Sequence, residues 1–179
     1  MKAIYWVILA LCLSSCLAES VTPITKVGDE VLDTRLFGTW YWHQARESGY
    51  IHIGKANDQE YDIVMVAINQ ASMKPDVSRY TGHSSTLANN NTYLNIITSN
   101  DEQPMYLFVK YTVNKQSMAI SLAKTSVVKN AILSGTLKGR APDLSAKVFD
   151  TQDNIQKFVT DNDDPLFEET VIVHRHSAN

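Results

Sequence analysis

Apolar and polar residues alternate along most of the chain from about residue 39 onward. A repeat of two residues indicates β-strands, because successive side chains of a strand point to opposite faces. The alternation predicts eight strands: Thr39 to Gln44, Tyr50 to Gly54, Tyr61 to Ile68, Arg79 to Thr86, Tyr93 to Thr98, Met105 to Val113, Ser117 to Ala123 and Glu169 to His176. Short clusters of turn-forming residues such as Asn89-Asn90-Asn91 separate them, and this spacing favours antiparallel hairpins.

Some predicted strands are apolar on both faces. Leu107 and Val109 alternate with Tyr106 and Phe108, so both sides of that strand need cover. We expect two short helices to supply this cover. Their inward stripes are Val127, Val128, Ala131 and Ile132 in the first, and Ile155, Phe158 and Val159 in the second.

The helix ends are marked by capping residues. The first helix would begin at Thr125 or Ser126 and end near Gly135, and Thr151 would cap the second. The stretch Ser145 to Phe149 between them is strand-like. Together these elements predict a mainly β fold, an antiparallel meander that closes into a barrel or half-barrel with one or two short flanking helices.

The first sixteen residues have a different pattern. Lys2 precedes an unbroken apolar run from Ile4 to Leu13, which is followed by Ser14 and Ser15. A bilayer-spanning helix needs roughly 20 apolar residues, so this shorter run is typical of a secretory signal peptide.

Leu13-Ser14-Ser15-Cys16 resembles the lipobox of bacterial lipoproteins. The resemblance implies that Cys16 is acylated and becomes the new amino terminus, so that acyl chains attach the protein to a membrane. In the enteric lipoproteins that this resembles, a non-acidic residue after the cysteine, here Leu17, favours transfer to the outer membrane. We therefore expect residues 1–16 to be a lipoprotein signal peptide, residues 17–30 a tether and residues 31–179 a single β-barrel-like domain. The alternative is cleavage after Ala18, which would release a soluble periplasmic protein.

Composition narrows the functional classes. The chain has 179 residues and a formal net charge of −3, with no long basic run, which argues against nucleic acid as a partner. Both cysteines, Cys12 and Cys16, lie in the leader. The remainder has no thiol for a disulfide, a nucleophile or a cysteine-based metal site.

Gly38-Thr39-Trp40 in the first predicted strand and Arg175 in the last resemble the lipocalin arrangement. That resemblance implies an eight-stranded barrel over residues 36–176, in which Gly38, Trp40 and Arg175 have structural roles and the tryptophan packs at the closed end beneath the arginine. Trp42 shares the strand face of Trp40, so we expect it to point into the barrel, either lining an apolar ligand pocket or packing the core. His52 and His83 are predicted to be weaker members of the same ligand-binding set.

The sequence gives little support for a catalytic site or a metal site. Gly82-His83-Ser84-Ser85 combines a base with a hydroxyl, but neighbouring residues of a strand face opposite ways and no G-x-S-x-G motif is present. His174 and His176 share a face and could bind zinc only with His52 or His83, without a supporting motif. We therefore predict no enzyme activity, no metal site and no cofactor.

Charge is distributed unevenly near the helices. One stretch carries mostly cations, and the stretch from Asp150 to Glu169 carries seven acids against Lys157. The cations are Lys124, Lys129, Lys138, Arg140 and Lys147. Solvated helix faces explain such charges, and opposed patches that orient a protein partner or an anionic headgroup are the alternative.

The leading functional hypothesis is a non-enzymatic lipoprotein of the bacterial cell envelope, in the outer membrane and facing the periplasm, that binds a small apolar or amphiphilic ligand. The alternative is a tethered protein-interaction module, such as an inhibitor, immunity or envelope-assembly accessory protein, with a filled barrel.

Overall fold

The predicted strand pattern is present in the computed structural model, which describes residues 17–44, 47–99 and 103–176. The strands are β1 (Ala18–Ser20), β2 (Gly38–His43), β3 (Glu47–Lys55), β4 (Tyr61–Asn69), β5 (Pro75–Thr86), β6 (Thr92–Ser99), β7 (Met105–Val113), β8 (Ser117–Leu122), β9 (Gly139–Arg140), β10 (Ala146–Val148) and β11 (Val171–Arg175). Strands β2 to β8 follow one another as antiparallel neighbours, and β11 returns between β8 and β2. Pairing of β6 with β7 completes a closed eight-stranded barrel, which confirms the mainly β, lipocalin-like architecture.

All eight predicted barrel strands are present, with changes at their ends. The largest difference is in β5, which begins at Pro75, four residues before the predicted start. Pro75 lacks a backbone donor, and proline is tolerated at the first residue of a strand. The polar residues that follow, Asp76 among them, hide the alternation that would have extended the prediction.

Three helices lie between β8 and β11: α1 (Thr125–Leu133), α2 (Gln152–Asp161) and the short α3 (Asp163–Leu166). Thr151 caps α2 as predicted, accepting a hydrogen bond from the backbone of Asn154. The predicted cap of α1 is wrong, because Lys124 occupies the N-cap position and Thr125 is already helical. Gly135 follows α1 with a φ of +78°, a left-handed conformation that favours glycine.

The closed end of the barrel is built around Trp40. Its side chain is fully buried, its indole N–H donates to the carbonyl of Leu36 at 2.8 Å, and the Arg175 guanidinium carbon lies 4.1 Å from its ring centre. Arg175 also donates to the carbonyls of Phe37 at 2.6 Å and Arg35 at 2.5 Å. At Gly38, with a φ of +128°, a Cβ would lie 2.8 Å from the same guanidinium. Glycine at this position therefore lets the arginine cover the tryptophan.

A second layer covers the outside of β5, β6 and β7. The three helices and the chain from residue 17 to residue 30 form it, and they bury a separate apolar cluster that includes Ile24, Phe108, Val148 and Phe158. This layer accounts for the strands that are apolar on both faces. Strand β1 belongs to it, pairing in parallel with β10 and through Ser20 with Tyr106 at the start of β7.

The expectation that residues 17–30 are a tether is wrong. Leu17 and Ala18 are buried, and Ile24 has no exposed surface. The backbone N–H of Ile24 donates to the Asn95 side chain at 2.7 Å, and its carbonyl accepts from Gln156 at 2.7 Å. These side-chain partners hold a segment without strand or helix periodicity against the barrel.

Candidate ligand site in the barrel

An apolar void of about 50 Å³ lies inside the barrel. Its walls come from β3 to β8: Ile51, Ile53, Ile63, Met65, Tyr80, Leu94, Ile96, Val109, Met118, Ile120 and Leu122. The deeper residues, such as Met118 at 1% exposure, are buried, whereas Ile51, Ile96 and Leu122 retain partial exposure although they face inward. The void is thus closed below and approached from solvent past apolar side chains.

Trp42 lies in the barrel core, as expected from the strand face that it shares with Trp40. It is 2% exposed but does not line the void. Its ring packs over Gly49 on the neighbouring strand, where a Cβ would lie 2.6 Å from the indole carbons and 2.1 Å from the carbonyl oxygen of Val66. Trp42 therefore fills the interior beside β2, and the void is bordered by β3 to β8.

Two buried polar atoms near Trp42 have no hydrogen-bond partner among the described residues. They are the indole Nε1 of Trp42 and the Oε1 of Glu47. Glu47 shares the inward strand face of Gly49, Ile51 and Ile53, and burial raises the pKa of its carboxyl group. Unpaired buried polar groups are costly, so a donor and a carboxyl at the open end of the barrel are available to a polar group of a ligand.

His83 lies outside the barrel wall and beneath the amino-terminal segment. It is 2% exposed, its Nε2 lies 2.7 Å from the carbonyl oxygen of Thr25, and its ring meets Tyr106 edge-on. Since a carbonyl only accepts, Nε2 carries the proton, and Nδ1 has no partner among the described residues. Burial lowers the pKa of His83. Its contacts fix the amino-terminal segment in place.

His52 is exposed on the outside of β3, with its Nδ1 2.9 Å from the Thr39 hydroxyl. Neither His52 nor His83 faces the void, which corrects the expectation that they accompany Trp42 in an interior ligand set. The cause is strand alternation, because the neighbours Ile51, Ile53 and Ser84 occupy the inward positions. His174 and His176 are exposed, and no cluster of three or more His, Cys, Asp or Glu side chains in the described ranges could hold a metal ion.

The His83-Ser84 pair does not form a nucleophile with its base. Ser84 points inward, where its hydroxyl lies 3.3 Å from that of Tyr61, whereas His83 points outward. Ser85 faces outward too, and its hydroxyl lies 2.6 Å from both the Thr25 hydroxyl and the Asn95 amide nitrogen. These hydroxyl groups are occupied by structural contacts between the strands and the amino-terminal segment.

A buried charged group joins α3 to the outside of the barrel. Asp163 accepts from the Tyr93 hydroxyl at 2.5 Å and from the Asn91 amide at 2.9 Å, and it pairs with Lys110. Burial and then the bond to Asp163 raise the pKa of Tyr93 well above its usual range. This network was not predicted, since Lys110 and Asp163 are 53 residues apart and no local pattern links them.

Comparison with protein-family models, curated proteins and solved structures finds no significant match to this chain. "Lipocalin-like" therefore describes an architecture of strands and of the Trp40–Arg175 contact. None of the helices in the described ranges is long and apolar enough to span a membrane. Cys16 lies outside the described residues, so lipid attachment there stays a prediction.

None of the residues that line the void was predicted as a site residue. Each occurs in a predicted strand at an inward position, but alternation does not distinguish a side chain that fills the core from one that borders a void. The one available signal was the number of medium-sized residues at inward positions of β3 to β8, where isoleucine and valine predominate over aromatic residues.

Proposed function

We propose that this protein is a non-enzymatic lipoprotein of the bacterial cell envelope that binds a small apolar or amphiphilic molecule inside its barrel. The observation that carries the proposal is the apolar void, bordered by inward-facing side chains that keep partial exposure. Exposed apolar surface inside a concave site favours transfer of apolar groups from water.

The size of the void limits the ligand. One water molecule needs roughly 10–15 Å³ on the same measure, so about 50 Å³ accommodates a short alkyl segment or a small ring. A longer chain requires the half-buried side chains at the approach, Ile96 and Leu122 among them, to change rotamer. Isoleucine and leucine at the surface of a void have space to do so.

The polar atoms at the open end favour an amphiphile over a hydrocarbon. The Trp42 indole N–H donates, and the Glu47 carboxyl, whose pKa is raised by burial, offers an oxygen that accepts. A ligand with an apolar tail and a hydroxyl, amide or carboxyl head would satisfy one or both groups. Attachment to a membrane is supported by the lipobox-like sequence that ends at Cys16.

The test fills the void and compares what the protein retains. The full chain and its Ile96→Trp variant are expressed in a bacterium, isolated, and extracted for identification of bound small molecules by mass spectrometry. Ile172→Trp is the matched control, since Ile172 lies on the outer face of β11 and is 50% exposed. Leu122→Trp is a second cavity variant on a different strand, in case Ile96→Trp does not fold.

We expect a small molecule to accompany the parent protein and Ile172→Trp and to be reduced at least about tenfold in the folded cavity variants, the equivalent of about 1.4 kcal/mol. The same mass in all of them would place binding outside the barrel. A parent protein that carries no ligand and takes up no alkanol across a chain-length series would overturn the proposal and favour the interaction-module alternative.

A further inference from the structure

We propose that the β9–β10 hairpin rests on the anionic surface of the membrane to which Cys16 is anchored. The contacting surface, termed the basic face, consists of Lys138, Arg140, Lys147 and Phe149, with Leu144 in the connecting loop. This inference rests on the proposed lipid anchor and adds to it a defined contact between the folded domain and lipid.

The pairing of β9 with β10 puts these residues on one surface. Lys147 stands opposite Arg140, and the buried neighbours Ala146 and Val148 face the apolar cluster of the outer layer. Residues of one strand alternate between faces, so Lys147 and Phe149 point away from that cluster. The Arg140 guanidinium carbon lies 6.0 Å from the Phe149 ring centre, which joins the two strands at the surface.

The charge of the basic face is not neutralised by ion pairs. None of Lys138, Arg140 and Lys147 forms a salt bridge with a carboxylate of the described ranges, whereas Lys124 pairs with Glu168 and Lys157 with Asp161. Lys129 adds a fourth cation close by, donating to the carbonyls of Pro142 at 3.1 Å and Asp143 at 2.6 Å.

Three acids, Asp143, Glu19 and Asp150, lie in or beside the hairpin. Glu19 accepts a hydrogen bond from the Thr98 hydroxyl at 2.8 Å, and the buried Asp150 accepts one from the Lys138 backbone N–H at 2.8 Å. The surface therefore has more cations than anions. It also exposes two large apolar side chains, Leu144 at 62% and Phe149 at 42%. Cations that attract anionic headgroups, combined with apolar side chains that enter the interface, are typical of peripheral membrane contacts.

The position of the predicted anchor selects lipid as the occupant of this face. Ala146 of β10 donates its backbone N–H to the Leu17 carbonyl at 3.1 Å, and Ala18 pairs with Ala146. Cys16 directly precedes Leu17 in the sequence. Since Leu17 is buried, acyl chains on Cys16 would begin beside the hairpin, without a spacer to hold the domain away from the bilayer.

The contact also orients the barrel. Ser20 of β1 meets Tyr106 at the start of β7, at the open end of the barrel, and the closed end lies beyond Val113. Seven residues of strand separate these two points by roughly 23 Å. Val148 pairs with Ser20 and with Gly139, so the end of the basic face that carries Lys138 and Phe149 lies near the open end. Because β1 is antiparallel to β7, the end that carries Leu144 points along the barrel toward the closed end.

The test uses the full chain purified from membranes and reconstituted into vesicles of phosphatidylethanolamine and phosphatidylglycerol that contain brominated lipid. Phe149→Trp reports on the basic face. Val31→Trp, which is 88% exposed and lies next to the closed end, reports on the far side. We expect brominated lipid to quench the fluorescence of the tryptophan introduced at position 149. In the variant with tryptophan at position 31, quenching should not exceed that of the parent protein.

Charge is tested by adding Lys138→Gln, Arg140→Gln and Lys147→Gln to the first reporter. Each cation is expected to change the docking equilibrium about fivefold, so loss of three predicts a shift of about a hundredfold, which is seen as loss of the extra quenching. The control replaces Lys26, Lys74 and Lys115, three exposed lysines elsewhere, with glutamine and should retain the quenching.

Intact mass verifies acylation of every sample. An unacylated protein would overturn the anchor, and the docking with it. An acylated protein with equal quenching at both reporters, or quenching unaffected by loss of the three cations, would overturn the docking alone.

Discussion

The barrel interior and the outer layer differ in how much empty space they contain and in the polar groups that they bury. The interior retains a void of about 50 Å³ that is lined by apolar side chains. The outer layer has only about 20 Å³ between Phe108, Val148 and the helices, yet it buries polar and charged groups such as Asn95 and Asp163. Those groups are paired, because Asn95 accepts from Ile24 at 2.7 Å and donates to Ser85 at 2.6 Å.

The difference shows what each region specifies. Paired polar groups in a dry environment accept only one arrangement, so they determine where the amino-terminal segment and the helices sit on the barrel. Apolar contacts are less directional, and the interior therefore tolerates unfilled space and a change of occupant. The outer layer therefore attaches its segments specifically, and the interior is the region suited to the proposed ligand.

The largest expected effect comes from breaking the charged group of the outer layer. Asp163→Asn leaves Lys110 without its counter-charge and weakens the bonds to Tyr93 and Asn91, so we expect the free energy of unfolding to fall by about 3 kcal/mol. Urea unfolding measures it. Asp164→Asn, the exposed neighbour in α3, should change stability by less than about 0.5 kcal/mol. Equal losses in the two variants would mean that the network contributes no specific stability.

A smaller effect is expected from His83, which holds the amino-terminal segment as a neutral ring. Burial lowers the pKa of His83 below its unfolded value of about 6.5, so the unfolded chain binds a proton that the folded chain excludes. The stability that depends on a neutral His83 is fully present at pH values above both the folded and the unfolded pKa. As pH falls below about 6.5, the free energy of unfolding decreases by up to about 1.4 kcal/mol per pH unit, until the folded pKa is reached.

Unfolding titrations between about pH 7 and pH 5 would show this slope in the parent protein. His83→Gln removes the titrating group and should flatten the slope, apart from any overall loss of stability. His52→Gln, at an exposed position, should retain it. If the slope survives in His83→Gln, another group is responsible for it.

Sequence reasoning recovered the barrel because alternation is a local signal. The order of β2 to β8 and the capping of α2 by Thr151 follow from neighbouring residues, whereas the contact of Trp40 with Arg175 was expected only from the lipocalin resemblance. The amino-terminal segment was misassigned because its contacts are remote. Ile24 meets Asn95 and Gln156, which lie 71 and 132 positions away along the chain.

The candidate site shows the same limit. Alternation placed Trp42 inside, but the prediction that His52 and His83 join it in a ligand-binding set is wrong, because the strand register turns both of them outward. A void depends on how side chains from six strands fill a common volume, which no single segment encodes. Likewise, the outward polar residues His83, Ser85 and Asn95 have the pattern of a solvated face until their partners are known.

The smallest effect tests the comparison itself by adding one methylene group to each region. Val109 borders the interior void and Val148 borders the tighter space of the outer layer, and both are strand valines with less than a twentieth of their surface exposed. Val109→Ile should raise the free energy of unfolding by up to about 0.8 kcal/mol, because the added group fills empty apolar space. Val148→Ile should lower it by about 1 kcal/mol, because the neighbours must move. Urea unfolding of both variants gives the two signs. If both variants lose stability, the interior is as tightly filled as the outer layer, and the space that the proposed ligand needs does not exist in the free protein.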